Sequence, residues 1–150
     1  MRLFFPLAAL LTLASGCHLL DLRGDSADAP DAPVAVRVGT TFEVTEGQSV
    51  ALDGSDYSLS FVSVTQDSRC PADAMCVWQG EALVVVGPSH PTMRFRPDTL
   101  TSAPRAGTPR TDSLRVGPYV LRLKELHPYP LASQPRKTPY RATFSLAAGR

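Results

Sequence analysis

Cysteine, tryptophan and histidine are all scarce in this 150-residue chain, which holds three Cys, one Trp and three His. The scarcity excludes several chemistries. Cys70 and Cys76 do not have Cys-x-x-Cys redox spacing, and a zinc ion would need two more ligands that His18, His90 and His127 are not spaced to supply. A surplus of charge is also missing. The formal net charge is +1, so a nucleic-acid partner is not expected. The sequence has no phosphate-cradling glycine loop and no Gly-x-Ser-x-Gly elbow. Ser89 and His90 adjoin, but neighbours on a strand point to opposite faces. Asp53-Gly54-Ser55-Asp56 has two carboxylates, too few for a calcium loop, and reads as a hairpin-type turn. No catalytic residue, metal ion or cofactor is assigned. The apolar run over residues 3–13 also falls well short of the ~20 residues a membrane-spanning helix needs.

That short run has a different meaning. Arg2 precedes it, and the small residues Ala14, Ser15 and Gly16 come after it, which is the shape of an export signal. Leu13-Ala14-Ser15-Gly16-Cys17 resembles the lipobox of bacterial lipoproteins, with Ala14 where a branched aliphatic residue is commoner. The resemblance implies a signal peptide over residues 1–16, cleavage before Cys17, and acylation (palmitate or a related chain) of the cysteine thiol and new amino group. It also implies a lipid anchor in the cell envelope. His18 is not the Asp that marks inner-membrane retention, so the outer membrane is favoured where there are two. The alternative is ordinary cleavage nearby, which would leave Cys17 as an oxidisable free thiol. Acyl chains contribute about 0.8 kcal/mol per buried methylene, so two or more hold firmly.

With Cys17 set aside, Cys70 and Cys76 remain as an even pair, expected to form a structural disulfide in an oxidising compartment. So short a loop yields only ~2 kcal/mol of chain-entropy stabilisation, and its main effect is to fix the loop's shape. Residues 17–33 are rich in Asp, Ala and Pro without apolar periodicity and read as a flexible tether. Residues 34–150 read as a single β domain.

Within that domain the apolar residues recur with period two. Phe42 and Val44, Val50 and Leu52, Tyr57, Leu59 and Phe61, Tyr119, Leu121 and Leu123, and Tyr140, Ala142, Phe144 and Leu146 each share a face. The shift in parity to Val62 and Val64 suggests a β-bulge. Leu83-Val84-Val85-Val86 predicts a strand buried on both faces. Met93 and Phe95 predict a strand over 92–96, with Arg94 and Arg96 outward. Residues 71–75 offer one helical turn. Residues 98–112 and 127–139 read as loops or edges, the second because of its prolines. The expected fold is all-β, a small sandwich or barrel of about eight short strands with one disulfide-closed loop. Residues 34–90 carry two basic against seven acidic side chains, and residues 91–150 carry eleven against three. The halves either pair as neighbouring strands or leave a basic face toward anionic headgroups or polymers.

The densest constellation is Asp67-Ser68-Arg69-Cys70-Pro71, with Cys76-Val77-Trp78-Gln79-Gly80-Glu81-Ala82 close behind. With Phe61-Val62-Ser63-Val64, Pro128-Tyr129-Pro130 and Tyr140-Arg141-Ala142, these boxes resemble a group of bacterial secreted lipoproteins across most of residues 40–148. The resemblance implies a shared domain and no particular reaction. A structural reading pairs Asp67 with Arg69, packs Trp78 flat on the disulfide and uses Gly80 for a tight approach. A functional reading presents Asp67, Arg69, Trp78 and Gln79 as a rigid binding surface.

The expected function is a non-catalytic binding or accessory module, attached to the membrane by lipid and directed at an envelope protein or cell-wall polymer. The alternatives are an exported protease inhibitor using residues 67–79, and a small cell-wall or polysaccharide hydrolase, which would need paired carboxylates in a groove. The anchor has a direct test. Cys17→Ser moves the protein from the membrane to the soluble fraction on cell fractionation, and unchanged membrane association refutes lipidation.

Overall fold

The computed structural model describes residues 34–135 and 138–149, so Cys17 and the rest of the signal and tether lie outside the described residues. Those described hold nine strands and no helix: β1 (Val34–Val36), β2 (Thr41–Thr45), β3 (Ser49–Leu52), β4 (Ser58–Asp67), β5 (Ala82–Ser89), β6 (Asp98–Thr101), β7 (Ser113–Val116), β8 (Tyr119–His127) and β9 (Arg141–Ala148). They form a sandwich-like pair of sheets, ordered β1-β3-β4-β5-β6 and β2-β9-β8-β7. The β1–β3 pairing is parallel and the others are antiparallel.

The period-two pattern places the core. In β9, Ala142, Phe144 and Leu146 are buried, and they join Leu59, Phe61, Val84 and Val86 of the other sheet in one hydrophobic cluster. Phe61 and Phe144 meet edge to face across the layers with ring centroids 6.4 Å apart, a favoured arrangement for aromatic pairs. The expected disulfide is present between Cys70 and Cys76.

Two bulges in β4 control where its far end points. The register against β5 shifts between Phe61 and Ser63, which leaves Val62 half exposed and turns Val64 toward the core. A second shift lies between Val64 and Gln66. It pairs Asp67 with the fully buried Ala82. Directly opposed residues share a face, so this bulge aims Asp67 into the end of the core. The Glu46 carboxylate accepts the Val64 amide at 3.1 Å and the Tyr140 amide at 3.3 Å, joining the bulged strand to the start of β9.

Several expectations need correction. Residues 92–96 do not form a strand, and Met93 and Phe95 are exposed. The Phe95 ring instead lies where a side chain at Gly87 would stand, so it packs against β5 at that position. β5 is not buried on both faces: Ala82, Val84 and Val86 point in, while Leu83 and Val85 are partly exposed. Residues 98–112 do contain an edge, as expected: they contribute the edge strand β6. Ser113–Val116, to which the sequence pattern assigned no element, form strand β7. Residues 71–75 make a turn, closed by the Ala74 amide on the Pro71 carbonyl at 3.1 Å, and not a helical turn. The acidic and basic halves adjoin as paired strands in two places, β2–β9 and β5–β6. The Glu43–Arg141 and Glu81–Arg110 ion pairs connect the halves near them.

The fully buried Phe144 ring is the centre of this packing. Phe144→Ala is expected to lower unfolding free energy by about 3–5 kcal/mol, read from urea denaturation.

Candidate functional site

Asp67 is the last residue of β4, and Arg69 stands two residues later. Both side chains are buried, at 5% exposure for Arg69 and 9% for Asp67. Arg69 donates from Nε to Asp67 Oδ1 at 2.8 Å and from Nη2 to Oδ2 at 2.7 Å, a two-pronged pair. Its remaining reach goes to the other sheet. Nη1 donates to the Leu126 carbonyl at 2.5 Å and Nη2 to the Pro128 carbonyl at 2.9 Å. The guanidinium lies over the Tyr129 ring, 4.6 Å from its centroid. The Tyr140 hydroxyl donates to Asp67 Oδ2 at 3.0 Å, and the Arg69 amide to Oδ1 at 3.2 Å. The pair therefore fastens β4 to β8 and to the residue before β9.

The Asp67–Arg69 pairing is the one the structural reading gave, and the two side chains are largely enclosed, Asp67 lining one groove of this end and Arg69 another. The second bulge turns Asp67 inward, and Arg69 turns in with it to neutralise its charge. Burial alone would raise the Asp67 pKa. The hydrogen bonds and charge of Arg69, with the Tyr140 hydroxyl, outweigh burial and hold the carboxyl below its ordinary value of 3.8. Four donors occupy its two oxygens, so Asp67 is committed to structure rather than to proton transfer.

Cys70 stands next to Arg69 and opens the closed loop. Its amide donates to the Gln79 carbonyl at 2.8 Å, and the Ser68 amide donates to the Glu81 carbonyl at 2.8 Å. Gly80 has a φ of 67°, and a Cβ there would stand 1.8 Å from the Ser68 carbonyl oxygen. Glycine is therefore required at this close approach, as the sequence suggested. A second clamp holds the loop's other side. The Asp73 carboxylate accepts the Ala132 amide at 2.6 Å and the Ser133 amide at 3.1 Å. Those bonds lower the Asp73 pKa below its ordinary value. The Ala72 amide donates to the Pro130 carbonyl at 2.9 Å.

Between these fixings residues 72–79 are all exposed. Met75 and Val77 stand fully in solvent, and Trp78 is 70% exposed. Trp78 is therefore not buried against the disulfide in the way the structural reading expected. Instead the Arg105 guanidinium lies over its ring, 5.2 Å from the centroid. Gln79 is exposed, as the functional reading required, and its carbonyl helps hold the loop.

Two grooves flank this end of the sandwich. One of about 370 Å³ is lined by Asp67, Tyr129, Leu131, Gln134, Pro135 and Tyr140 among others. The second, about 310 Å³, includes Gln79, Ser102, Lys124, Glu125, His127 and Tyr129. Glu125 and His127 lie 3.3 Å apart at the surface. At the opposite end of β5, His90 stacks near Tyr57 at 4.5 Å, and its Nδ1 contacts the Thr92 hydroxyl at 2.9 Å. Asp53-Gly54-Ser55-Asp56 forms the expected turn, with the Ser55 hydroxyl donating to the Leu52 carbonyl at 2.9 Å. Sequence reasoning missed the Leu126 and Pro128 carbonyls and the Asp73 clamp.

Asp67→Asn leaves the Arg69 charge buried without its counter-ion and is expected to cost about 3–5 kcal/mol in urea denaturation. The carboxyl's folded pKa is depressed, so its stabilisation is complete above the unfolded value of 3.8 and is lost as pH falls through the folded value. The wild type therefore loses this increment in acid, and the gap between wild type and Asp67→Asn narrows there. No family model, curated protein or solved structure matches the chain.

Proposed function

We propose that this chain is a lipid-anchored envelope protein whose β domain is a non-catalytic binding module, with residues 72–79 as its recognition loop. The observation that carries the reading is the loop's inverted burial. Two charged side chains, Asp67 and Arg69, lie inside the domain, while Met75, Val77 and Trp78 stand in solvent. Isolated surface apolar groups are ordinary, but three within four residues on a braced loop make a contact surface. The disulfide, the Asp73 clamp and the Gln79 carbonyl order the loop before any partner arrives, which lowers the entropy lost on binding. Trp78, with Arg105 over its ring, has the residue types that dominate interface energetics.

The anchor, the envelope location and a protein or cell-wall partner derive from the lipobox resemblance at Cys17 and belong to this proposal. The hydrolase reading gains no support, since the Asp67 carboxylate in the larger groove is fully engaged by Arg69 and Tyr140.

The test is affinity capture from solubilised membranes with wild type, Trp78→Ala and a control in the turn before the opposite end of β4, the exposed Asp56→Ala. Trp78→Ala is expected to lose the captured partner by about tenfold or more, the scale of a binding hot spot, with an unchanged urea midpoint. Identical partner sets for all three proteins would remove the loop from recognition.

A further inference from the structure

The loop is tied in an unusual way around one peptide bond. Val77–Trp78 lies between Cys76 and Gln79, and both of those residues are fastened to Cys70. Cys76 is joined through the disulfide. Gln79 is joined through its carbonyl, which accepts the Cys70 amide at 2.8 Å. Beyond Gln79, the conformation of Gly80 and the Ser68–Glu81 bonds hold the chain on the frame. Val77 itself is fully exposed and meets no packing that would restrain it from entering a cleft.

We infer that residues 76–79 act as a substrate-like inhibitory segment for a serine protease with a small apolar specificity pocket, with Val77 entering the pocket and Val77–Trp78 as the reactive bond. The inference rests on reading residues 72–79 as a recognition loop and names the partner's chemistry. Attack by the protease serine Oγ on the Val77 carbonyl carbon breaks the bond to the Trp78 nitrogen, which takes a proton from the protease histidine. An ordinary substrate then loses its amine product, and water completes hydrolysis. Here the new Trp78 amine is retained by the Gln79–Cys70 hydrogen bond and the Ser68–Glu81 bonds beyond it, and the Val77 acyl group is held beside it by the Cys76 disulfide. The amine can attack the acyl ester, restore the peptide bond and return the proton through the histidine to Oγ. Both half-reactions balance, and no further reactant is needed. An exposed, pre-ordered segment also meets a cleft at low entropic cost.

The segment's exposure allows a specificity exchange that a structural role would not produce. The full chain, purified in detergent, is titrated against an elastase, whose pocket takes small apolar side chains, and against trypsin, whose pocket holds a carboxylate. Wild type is expected to inhibit elastase with one-to-one stoichiometry and to leave trypsin active. Val77→Ala weakens elastase inhibition by about tenfold or more without gaining inhibition of trypsin, since one missing methylene in such a pocket is worth about 10–200-fold. Val77→Arg weakens elastase inhibition by about 100-fold or more and gains inhibition of trypsin. The urea midpoint of both variants stays at the wild-type value. Three results overturn the inference: no inhibition of elastase, turnover of Val77–Trp78 at the rate of an unconstrained peptide, or loss of elastase inhibition in Val77→Arg with no gain against trypsin. Absence of inhibition together with Trp78-dependent capture of a partner would discard the inhibitor and leave the recognition loop standing. Absence of inhibition with loop-dependent binding to phosphatidylethanolamine–phosphatidylglycerol vesicles would assign the loop to a membrane surface and discard it equally.

Discussion

The buried Arg69–Asp67 pair is the interaction on which the disulfide-loop end of this domain depends. Two opposite charges withdrawn from water gain little unless their remaining hydrogen-bonding capacity is also met. Here it is met largely from the facing sheet, by the carbonyls of Leu126 and Pro128 and by the Tyr140 hydroxyl. The pair thus converts a desolvation problem into a cross-link between layers. Removing one member leaves the other stranded, which makes the arrangement all-or-none. The apolar core alone would bring β4 and β8 together. The ion pair decides how their ends are aligned.

That alignment passes directly into the loop. Cys70 is covalently next to Arg69, so fixing the guanidinium fixes the direction in which the disulfide leaves the frame. Pro128 and Tyr129, which contact Arg69, lead into Pro130, Ala132 and Ser133, which hold Ala72 and Asp73. One side of the loop is therefore tied to the 128–133 segment and the other to the end of β4. Both supports converge on the same buried charge pair. A loop built this way presents its side chains in a set geometry without help from a partner. That property underlies the binding role proposed for it and the inhibitory chemistry inferred from its ties to Cys70.

Much of the frame was legible in the sequence because its determinants are local. Strict alternation in Tyr140, Ala142, Phe144 and Leu146 announces a strand with one buried face, and β9 has it. The parity change after Phe61 announces a bulge, and the register shifts there. The even cysteine pair announces a disulfide. The site was legible only in part. Its residues were identifiable from their density, but neither reading held for all of them: the Asp67–Arg69 pair follows the structural reading, while Trp78 and Gln79 are exposed as the functional reading required. The cause is physical. A single unpaired residue between Val64 and Gln66 reverses which face Asp67 occupies, and no polar stretch advertises where such a residue falls. The acceptors that make burial of Arg69 tolerable lie more than fifty residues away and are backbone carbonyls, which every residue type supplies. Phe95 misled for a related reason, since an alternating pattern also suits a segment lying over a sheet where Gly87 leaves room.

The fully solvent-facing side chains of Met75 and Val77 have an evolutionary consequence. Groups with no packing inside their own domain are nearly invisible to folding selection, whereas Gly80 and the Arg69–Asp67 pair are strictly policed by it. Mutation can therefore rewrite the tip while the mounting stays unchanged. A lineage carrying this domain could retarget it by exchanging one or two letters, much as a toolholder accepts a new bit.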